Sequence, residues 1–405
     1  MWRSITPSVI VRSLDRGNFG VSSRTTVVIS SNTAWSLLNF RGGLIKALGD
    51  RGYRVVAIAP PDEYRGRLEL LGCEVVDLPM DNKGTNPVRD LALTLAYRKL
   101  FRRLRPAVVL HYTIKPVIYG SLAARTLGVP CVNMITGLGT AFIRDNWLTR
   151  IVEYLYRVSQ EKAEGIFFLN EDDPQLFLDR RLSPPERMER LPGEGIDLNH
   201  FPPVPTTDDG EVRFLLIARM LRDKGVVEFV QAARIVRAKA PSARFQLLGR
   251  VGVANRTAIG RETLESWVKE GIVEYLGETD DVRPVIAQAH CVVLPSYREG
   301  VPRTLLEGAA MERPIIATDT VGCRDVVEHG VNGFLCRVRD AEDLAAQMVR
   351  LLEMPVKERS AMGHAGRRKV EQEFDERIVI SRYLEKIGNI VNRDREDRAR
   401  ALGEA

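Results

Sequence analysis

Four charged side chains in the second half of the chain have the types and spacing to work on a phosphorylated sugar. The segment Pro295-Ser296-Tyr297-Arg298-Glu299-Gly300-Val301-Pro302-Arg303-Thr304 runs on through Leu305 and Leu306 to Glu307. Glu299 ends a loop, and Glu307 lies two turns along the helix expected next. Eight residues at about 100° each leave the two carboxylates within about 80° of one another, so both can face one cleft. One can take hydrogen bonds from sugar hydroxyls while the other accepts a ribose diol. Gly300 and the helix start offer backbone N–H groups to phosphate. A capped helix with one solvated Glu is the plainer alternative, which the glycine and prolines make less attractive. Upstream, the strand Phe214–Ile217 runs into Ala218, Arg219 and, five residues on, Lys224-Gly225. Two cations across a strand–helix loop can reach one point above the strand end, an arrangement suited to a diphosphate.

These groups need a scaffold, and the hydrophobic pattern supplies one. Short β-branched runs alternate with helical stretches from Arg24 onward. Strands are expected at Val27–Ser30, Val55–Ala59, Glu74–Leu78, Ala107–His111, Cys131–Ile135 and Gly165–Leu169, with helices between them, the first at Gly43–Arg51. Such alternation implies right-handed βαβ units on a parallel sheet. The proline-rich stretch Phe201–Gly210 is the best linker. Beyond it the alternation restarts with strands at Arg213–Ile217, Ala243–Leu248, Ile272–Leu276, Cys291–Pro295 and Ile315–Thr318. The expected fold class is α/β with two doubly wound Rossmann-like domains. The domain plan has an extension at 1–24, a first domain at 25–203 and a second at 204–374. A helix at 375–391 packs back on the first domain, and a disordered tail covers 392–405. Ligands of such sheets bind beyond the carboxyl ends of the strands.

In the first half, the loop from Ser30 to Leu44 carries Gly42-Gly43 where a helix is expected to begin. Paired glycines there would let backbone N–H groups approach an anion; a tight turn would read the same. No GxGxxG or Walker A motif occurs, which disfavours hydride transfer. There is no DxD triplet either.

The 405 residues are 44% hydrophobic and 28% charged, ordinary globular values that allow a large core. No apolar stretch reaches the ~18–20 residues of a spanning helix. The five cysteines lack CxxC spacing, as expected of a reduced, cytoplasmic chain without a zinc site. Residues 1–203 hold 27 Lys and Arg against 21 Asp and Glu, so the whole net charge of +6 lies in the first half. Six basic residues and one Asp fall on Pro87–Arg105. Leu91, Leu95, Leu100 and Leu104 recur there near helical spacing among Arg98, Lys99, Arg102 and Arg103. That pattern suits an anionic membrane surface. It equally suits a helix whose apolar stripe packs on the sheet. Nucleic acid is not expected, since no reading motif or aromatic platform is present.

Taken together, Arg219, Lys224 and Glu299-x7-Glu307 resemble the signature of the retaining GT-B glycosyltransferases of family 4. Val321-Gly322 through Glu328, Gly330, Asn332 and Gly333 is similar to that family's GGxxEvvxxGxnG segment, and Leu191–Phe201 resembles its interdomain stretch. The likeness covers about residues 25–390. His111-Tyr112-Thr113-Ile114-Lys115-Pro116 and Thr136-Gly137-Leu138-Gly139 resemble segments of bacterial members that extend polyprenyl-diphosphate-linked sugars, often with N-acetylhexosamines. Many other members have His where this chain has Thr136.

The resemblance implies a UDP-sugar held in an interdomain cleft, with no cofactor and no metal. Arg219 and Lys224 would neutralise the diphosphate, Glu307 would bind the ribose and Glu299 the transferred sugar. Gly42, Gly43, Gly300, Val301, Pro302 and Thr304 would complete the donor contacts. His111, Lys115, Thr136 and Gly137 are candidates for acceptor or sugar contacts, a structural histidine fitting His111 as well. Glu171-Asp172-Asp173 could meet the acceptor or merely open a solvated helix. The implied partner is an undecaprenyl-diphosphate-linked saccharide at the inner face of the cell membrane, in surface polysaccharide assembly. Two rivals stand beside this reading. One is an isomerase of the non-hydrolysing UDP-N-acetylglucosamine 2-epimerase kind; the other is a non-catalytic subunit that binds a sugar nucleotide.

Overall fold

Aliphatic runs with no polar face are satisfied only where both sides of a sheet are covered. The computed structural model describes residues 24–403 apart from 82, 83, 85, 137–146, 207–209 and 254. Among the described residues, thirteen strands form two sheets. The first holds β1 (Thr26–Ser30), β2 (Arg54–Ala59), β3 (Glu74–Asp77), β4 (Val108–Tyr112), β5 (Cys131–Ile135), β6 (Gly165–Phe168) and β7 (Met188–Arg190). Its order is β3-β2-β1-β4-β5-β6-β7, and β1 to β6 pair in parallel. The second holds β8 (Arg213–Ile217), β9 (Arg244–Leu248), β10 (Glu274–Tyr275), β11 (Cys291–Leu294), β12 (Ile315–Thr318) and β13 (Gly333–Cys336). Its order is β10-β9-β8-β11-β12-β13, parallel throughout. Strand order therefore reverses between β1 and β4 and again between β8 and β11. Those two places are where a doubly wound sheet opens a crevice for a ligand.

The period of two is visible in the packing of the second sheet. Leu216, Val293 and Ile316 join one buried cluster, with Phe229 and Val230 of the helix Val226–Lys239. Their neighbours Leu215, Val292 and Ile315 join the other, with Leu305 and Leu306 of the helix Arg303–Ala310. In the first sheet Val28, Val56 and Val109 pack with Tyr97, Leu100 and Phe101 of the helix Pro87–Leu104.

The two units do not divide where the prolines suggested. The first takes the chain up to Phe168, then Leu176–Glu189 and everything from Ile380; the second takes Leu169–Gln175 and Arg190–Val379. Ile196 and Phe201 explain the shift: both are buried with Val301 in the core of the second unit, so the chain around Phe201 lies within that unit and is no boundary. The expectation at 1–24 lies, but for Arg24, outside the described residues.

The end of the chain also differs from the expected disordered tail, because one helix runs Glu376–Gly403. Its Tyr383 ring lies 4.9 Å from Phe167 and 6.1 Å from Tyr112, and Ile387, Ile390 and Val391 are buried. Past those apolar anchors Arg393 pairs with Glu164 at 2.8 Å. The residues beyond are rich in Arg and Ala, which are good helix formers, so the helix continues.

The helix Pro87–Leu104 settles into a register other than the expected stripe. Asp90, Leu93, Tyr97, Leu100, Phe101 and Leu104 face inward. Leu91 and Leu95 remain 62% and 55% exposed, beside the basic residues. Tyr97 and Phe101 fill more of the space under the helix than two leucines could, and they decide which face turns in.

Ile387 is fully buried. Ile387→Ala should therefore lower the unfolding free energy of the first unit by about 2–5 kcal/mol in a urea titration. The exposed Arg400→Ala should change it by less than about 0.5 kcal/mol.

Candidate active site

The strand ends β8, β11 and β12 of the second unit feed three loops that crowd the reversal of strand order. After β8 come Ala218 and Arg219, then a single 3-10 turn at Arg222–Lys224. Gly225 follows with φ +70°; a Cβ there would lie 2.0 Å from the Pro295 carbonyl oxygen. After β12, Gly322 has φ +76°, and a Cβ on it would sit 1.3 Å from the Gly300 carbonyl oxygen. Both positions demand glycine on two counts, backbone shape and space. The loops thus meet backbone to backbone and leave their side chains free to converge.

Hydrogen bonds fix the central loop. The Tyr297 amide and the Ser296 hydroxyl both donate to the Asp223 carbonyl, at 2.9 and 3.1 Å. The Thr318 hydroxyl donates to the Ser296 carbonyl, and Thr320 to Tyr297 at 3.2 Å. The Tyr297 phenol donates to Glu228 at 2.7 Å. Burial and that carboxylate push its pKa up to about 12.

On this frame Lys224 and Glu299 form an ion pair, their side chains 23% and 12% exposed. Arg219, in the loop after β8, is exposed. Glu307 is 9% exposed and accepts from Arg303 Nε at 2.9 Å, one helical turn away. Burial raises the pKa of its carboxyl, and the Arg303 cation opposes that rise. A graded set results, from an exposed cation through a half-buried pair to a buried carboxylate.

The other expected donor contacts divide. Gly300 lies on the loop and presents backbone. The Val301 side chain is 8% exposed and turned into the core against Gly193. Pro302 is buried at the start of the helix Arg303–Ala310, and its carbonyl accepts the Leu305 amide at 3.0 Å. The Thr304 hydroxyl donates to the Ile217 carbonyl at 3.2 Å, tying that helix to β8. Val301, Pro302 and Thr304 therefore shape the site instead of offering side chains to a donor.

In the first unit, Gly42 and Gly43 are not a helix start. Their helix runs Ala34–Asp50, with the Thr33 hydroxyl accepting the Ser36 amide at 3.0 Å. Both glycine amides are therefore engaged inside the helix. The real N-terminus is met by the protein's own anion: Asp62 accepts the Ala34 and Trp35 amides at 2.8 and 3.2 Å. Gly42 instead allows close packing, with Leu71 3.4 Å from where its Cβ would be.

His111 is fully buried, its ring about 6 Å from those of Tyr97 and Phe101. Burial pushes its pKa down to about 3, so the imidazole is neutral. It is a core residue, buried away from solvent. Lys115 is 8% exposed and paired with Asp90, which also accepts from the Tyr119 phenol at 2.8 Å. That pair fixes the basic helix, so Lys115 is not offered to an acceptor. Thr136 follows β5 half-buried, and Gly137 lies outside the described residues.

Asp173 departs from both readings made of it. It is 1% exposed and paired with Arg298 at 3.1 Å, neither solvated nor open to an acceptor. Arg298 and Arg303 pair with Asp173 and Glu307, roles that nothing in the sequence pattern suggested, whereas Gly225 and Gly322 stand inside the motifs. Among the described residues, no group of three or more His, Cys, Asp or Glu is placed to hold a metal ion.

Residues 40–194 match the family model of a glycosyl transferase 4-like domain, and residues 211–354 that of glycosyl transferases group 1. Over 378 residues the chain is 28% identical to the N,N'-diacetylbacillosaminyl-diphospho-undecaprenol alpha-1,3-N-acetylgalactosaminyltransferase of Campylobacter jejuni, covering 89% of this chain and 98% of that one. It is 22% identical over 279 residues to an Escherichia coli UDP-Gal:alpha-D-GlcNAc-diphosphoundecaprenol alpha-1,3-galactosyltransferase, covering 66% and 71%. The solved glycosyltransferase of Rickettsia africae superposes with a TM-score of 0.73 at 17% identity, covering 91% of this chain and 99% of that one. Anabaena HepE, solved with UDP-glucose, gives 0.74 at 16% identity, covering 90% and 100%. The two sheets are thus the Rossmann-like pair of the GT-B fold. Matched in both halves by these domain models, the chain belongs to the group 1 glycosyltransferases, with a glycosyltransferase 4-like domain ahead of its group 1 domain.

Proposed function

We propose that this glycosyltransferase moves an N-acetylhexosamine from a UDP-sugar to an undecaprenyl-diphosphate-linked saccharide, retaining the anomeric configuration and using no metal. The observation that carries the reading is that the loop after β8, which bears Arg219 and Lys224, meets the loop after β11, which bears Glu299, where strand order reverses; Lys224 pairs with Glu299 there, and Glu307 is buried on the helix that follows. The names of the two transferase relatives support the lipid-linked acceptor and do not favour the isomerase.

In this mechanism Arg219 and Lys224 hold the diphosphate and offset the charge that grows on it as the sugar–phosphate bond breaks. Glu307 accepts the ribose diol. Glu299 accepts hydroxyls of the transferred sugar and thereby orients the ring. The acceptor hydroxyl attacks the anomeric carbon from the face the phosphate leaves. The departing phosphate oxygen takes the hydroxyl proton, so UDP and the glycoside form without a side-chain base.

Membrane attachment is part of the proposal. No described helix is long and apolar enough to cross a bilayer. Val88, Leu91 and Leu95 are exposed on the helix that carries Arg98, Lys99, Arg102 and Arg103, and the last four line a shallow hollow with Leu95. Exposed aliphatics beside clustered cations suit an anionic bilayer, each cation contributing on the order of 1 kcal/mol.

Glu307→Ala should reduce transfer at least about 1,000-fold with an unchanged melting temperature. Wild-type turnover should survive EDTA, assayed with UDP-N-acetylhexosamines and undecaprenyl-diphosphate glycans. An active Glu307→Ala protein would sink the site assignment, and activity lost in EDTA and restored by a divalent cation would sink the metal-free mechanism. In flotation assays the protein should bind phosphatidylglycerol vesicles and not phosphatidylcholine. Changing Arg98, Lys99, Arg102 and Arg103 together to Gln should weaken that binding at least about tenfold.

A further inference from the structure

The seven residues Leu169–Gln175 leave β6 and belong, by their contacts, to the second unit. Asp173, near their centre, is 1% exposed, and its carboxylate is set from two sides. Asn170 Nδ2 donates to it at 3.0 Å while the Asp173 amide donates back to Asn170 Oδ1 at 2.9 Å, a reciprocal lock at a helix start. The remaining partner is Arg298 Nη2 at 3.1 Å. Arg298 directly precedes Glu299, and its own side chain stays 57% exposed.

The asymmetry matters. A buried carboxylate left without its cation is costly, so the pair holds even though one member reaches it from water. The loop carrying Glu299 is tied on the Tyr297 side to Asp223, Glu228 and Thr320. On the Arg298 side the tie is Asp173.

We infer that the Asp173–Arg298 ion pair is a positioning element that sets Glu299 against the transferred sugar. The inference rests on the reading of Glu299 as the sugar-binding carboxylate. Neither residue touches substrate; each acts through the loop. Loss of the pair frees the loop on one side, and a drift of about 1 Å at an orienting group can cost about 100-fold in rate. Arg219 and Lys224 are untouched, so the nucleotide still binds.

The test compares the wild-type protein with Arg298→Ala, Arg298→Lys, Asp173→Asn and the Arg298→Ala/Asp173→Asn double variant. Hydrogen exchange at residues 297–300, UDP binding by calorimetry and steady-state transfer are measured on each. Arg298→Ala should speed exchange at 297–300 at least about tenfold and leave the UDP Kd within about twofold. It should lower kcat about 10- to 100-fold while donor KM moves less than about threefold. Arg298→Lys should recover most of kcat, and the double variant should be no slower than the slower single one. Unchanged exchange at 297–300 overturns the inference whatever the activity. Faster exchange with wild-type kcat, or a UDP affinity that falls in step with kcat, overturns the role in transfer. If the wild-type protein transfers no sugar, the proposed function fails, and exchange still decides whether the pair holds the loop.

Discussion

The arrangement of the second unit depends on close approach of main chain to main chain. A parallel sheet sends every strand end to one edge, and at the reversal between β8 and β11 the loops leave in opposite directions with little room between them. Gly225 against Pro295 and Gly322 against Gly300 are where that room runs out. Any side chain at either glycine would push a loop outward by ångströms, and Lys224 and Glu299 sit directly on those loops. The chemistry of this protein is therefore held by positions that carry no side chain at all.

The alternation of strands and helices was legible because continuous aliphatic runs have one physical solution, burial in a parallel sheet. The loops that carry the charged candidates were legible for a related reason: in a parallel sheet they follow the carboxyl ends of the strands. Boundaries were less so. Gly42-Gly43 suggested a helix start, yet Thr33 and Asp62 satisfy the first amides eight residues earlier, and glycines within a helix cost only about 1 kcal/mol each. The prolines after Phe201 suggested a domain boundary, but buried Ile196 and Phe201 fasten that stretch to the second unit. In each case a local propensity worth about a kilocalorie yielded to packing or capping worth more.

Polar residues at strand ends misled for another reason. His111 and Lys115 have the side chains of a substrate contact and the sequence position of one. Which face of β4 a residue takes depends on register, and His111 falls under Tyr97 and Phe101. Lys115 turns toward Asp90, a residue from a different βαβ unit that no local pattern links to it. Long-range ion pairs such as Asp90–Lys115 and Asp173–Arg298 leave no trace in spacing, because their separation is set by topology and not by the helix or strand repeat.

Three carboxylates in or beside the site have a base for a neighbour: Glu299 with Lys224, Glu307 with Arg303, Asp173 with Arg298. Arg219, by contrast, stands exposed on the loop after β8. The same pairing complicates any single substitution. Removing Lys224 would take away the proposed phosphate contact and also strand Glu299, so the loss measured for either alone contains a share that belongs to the other. Only the cycle through both, Lys224→Met with Glu299→Gln, separates what the cation would do for a leaving diphosphate from what it does for its own partner.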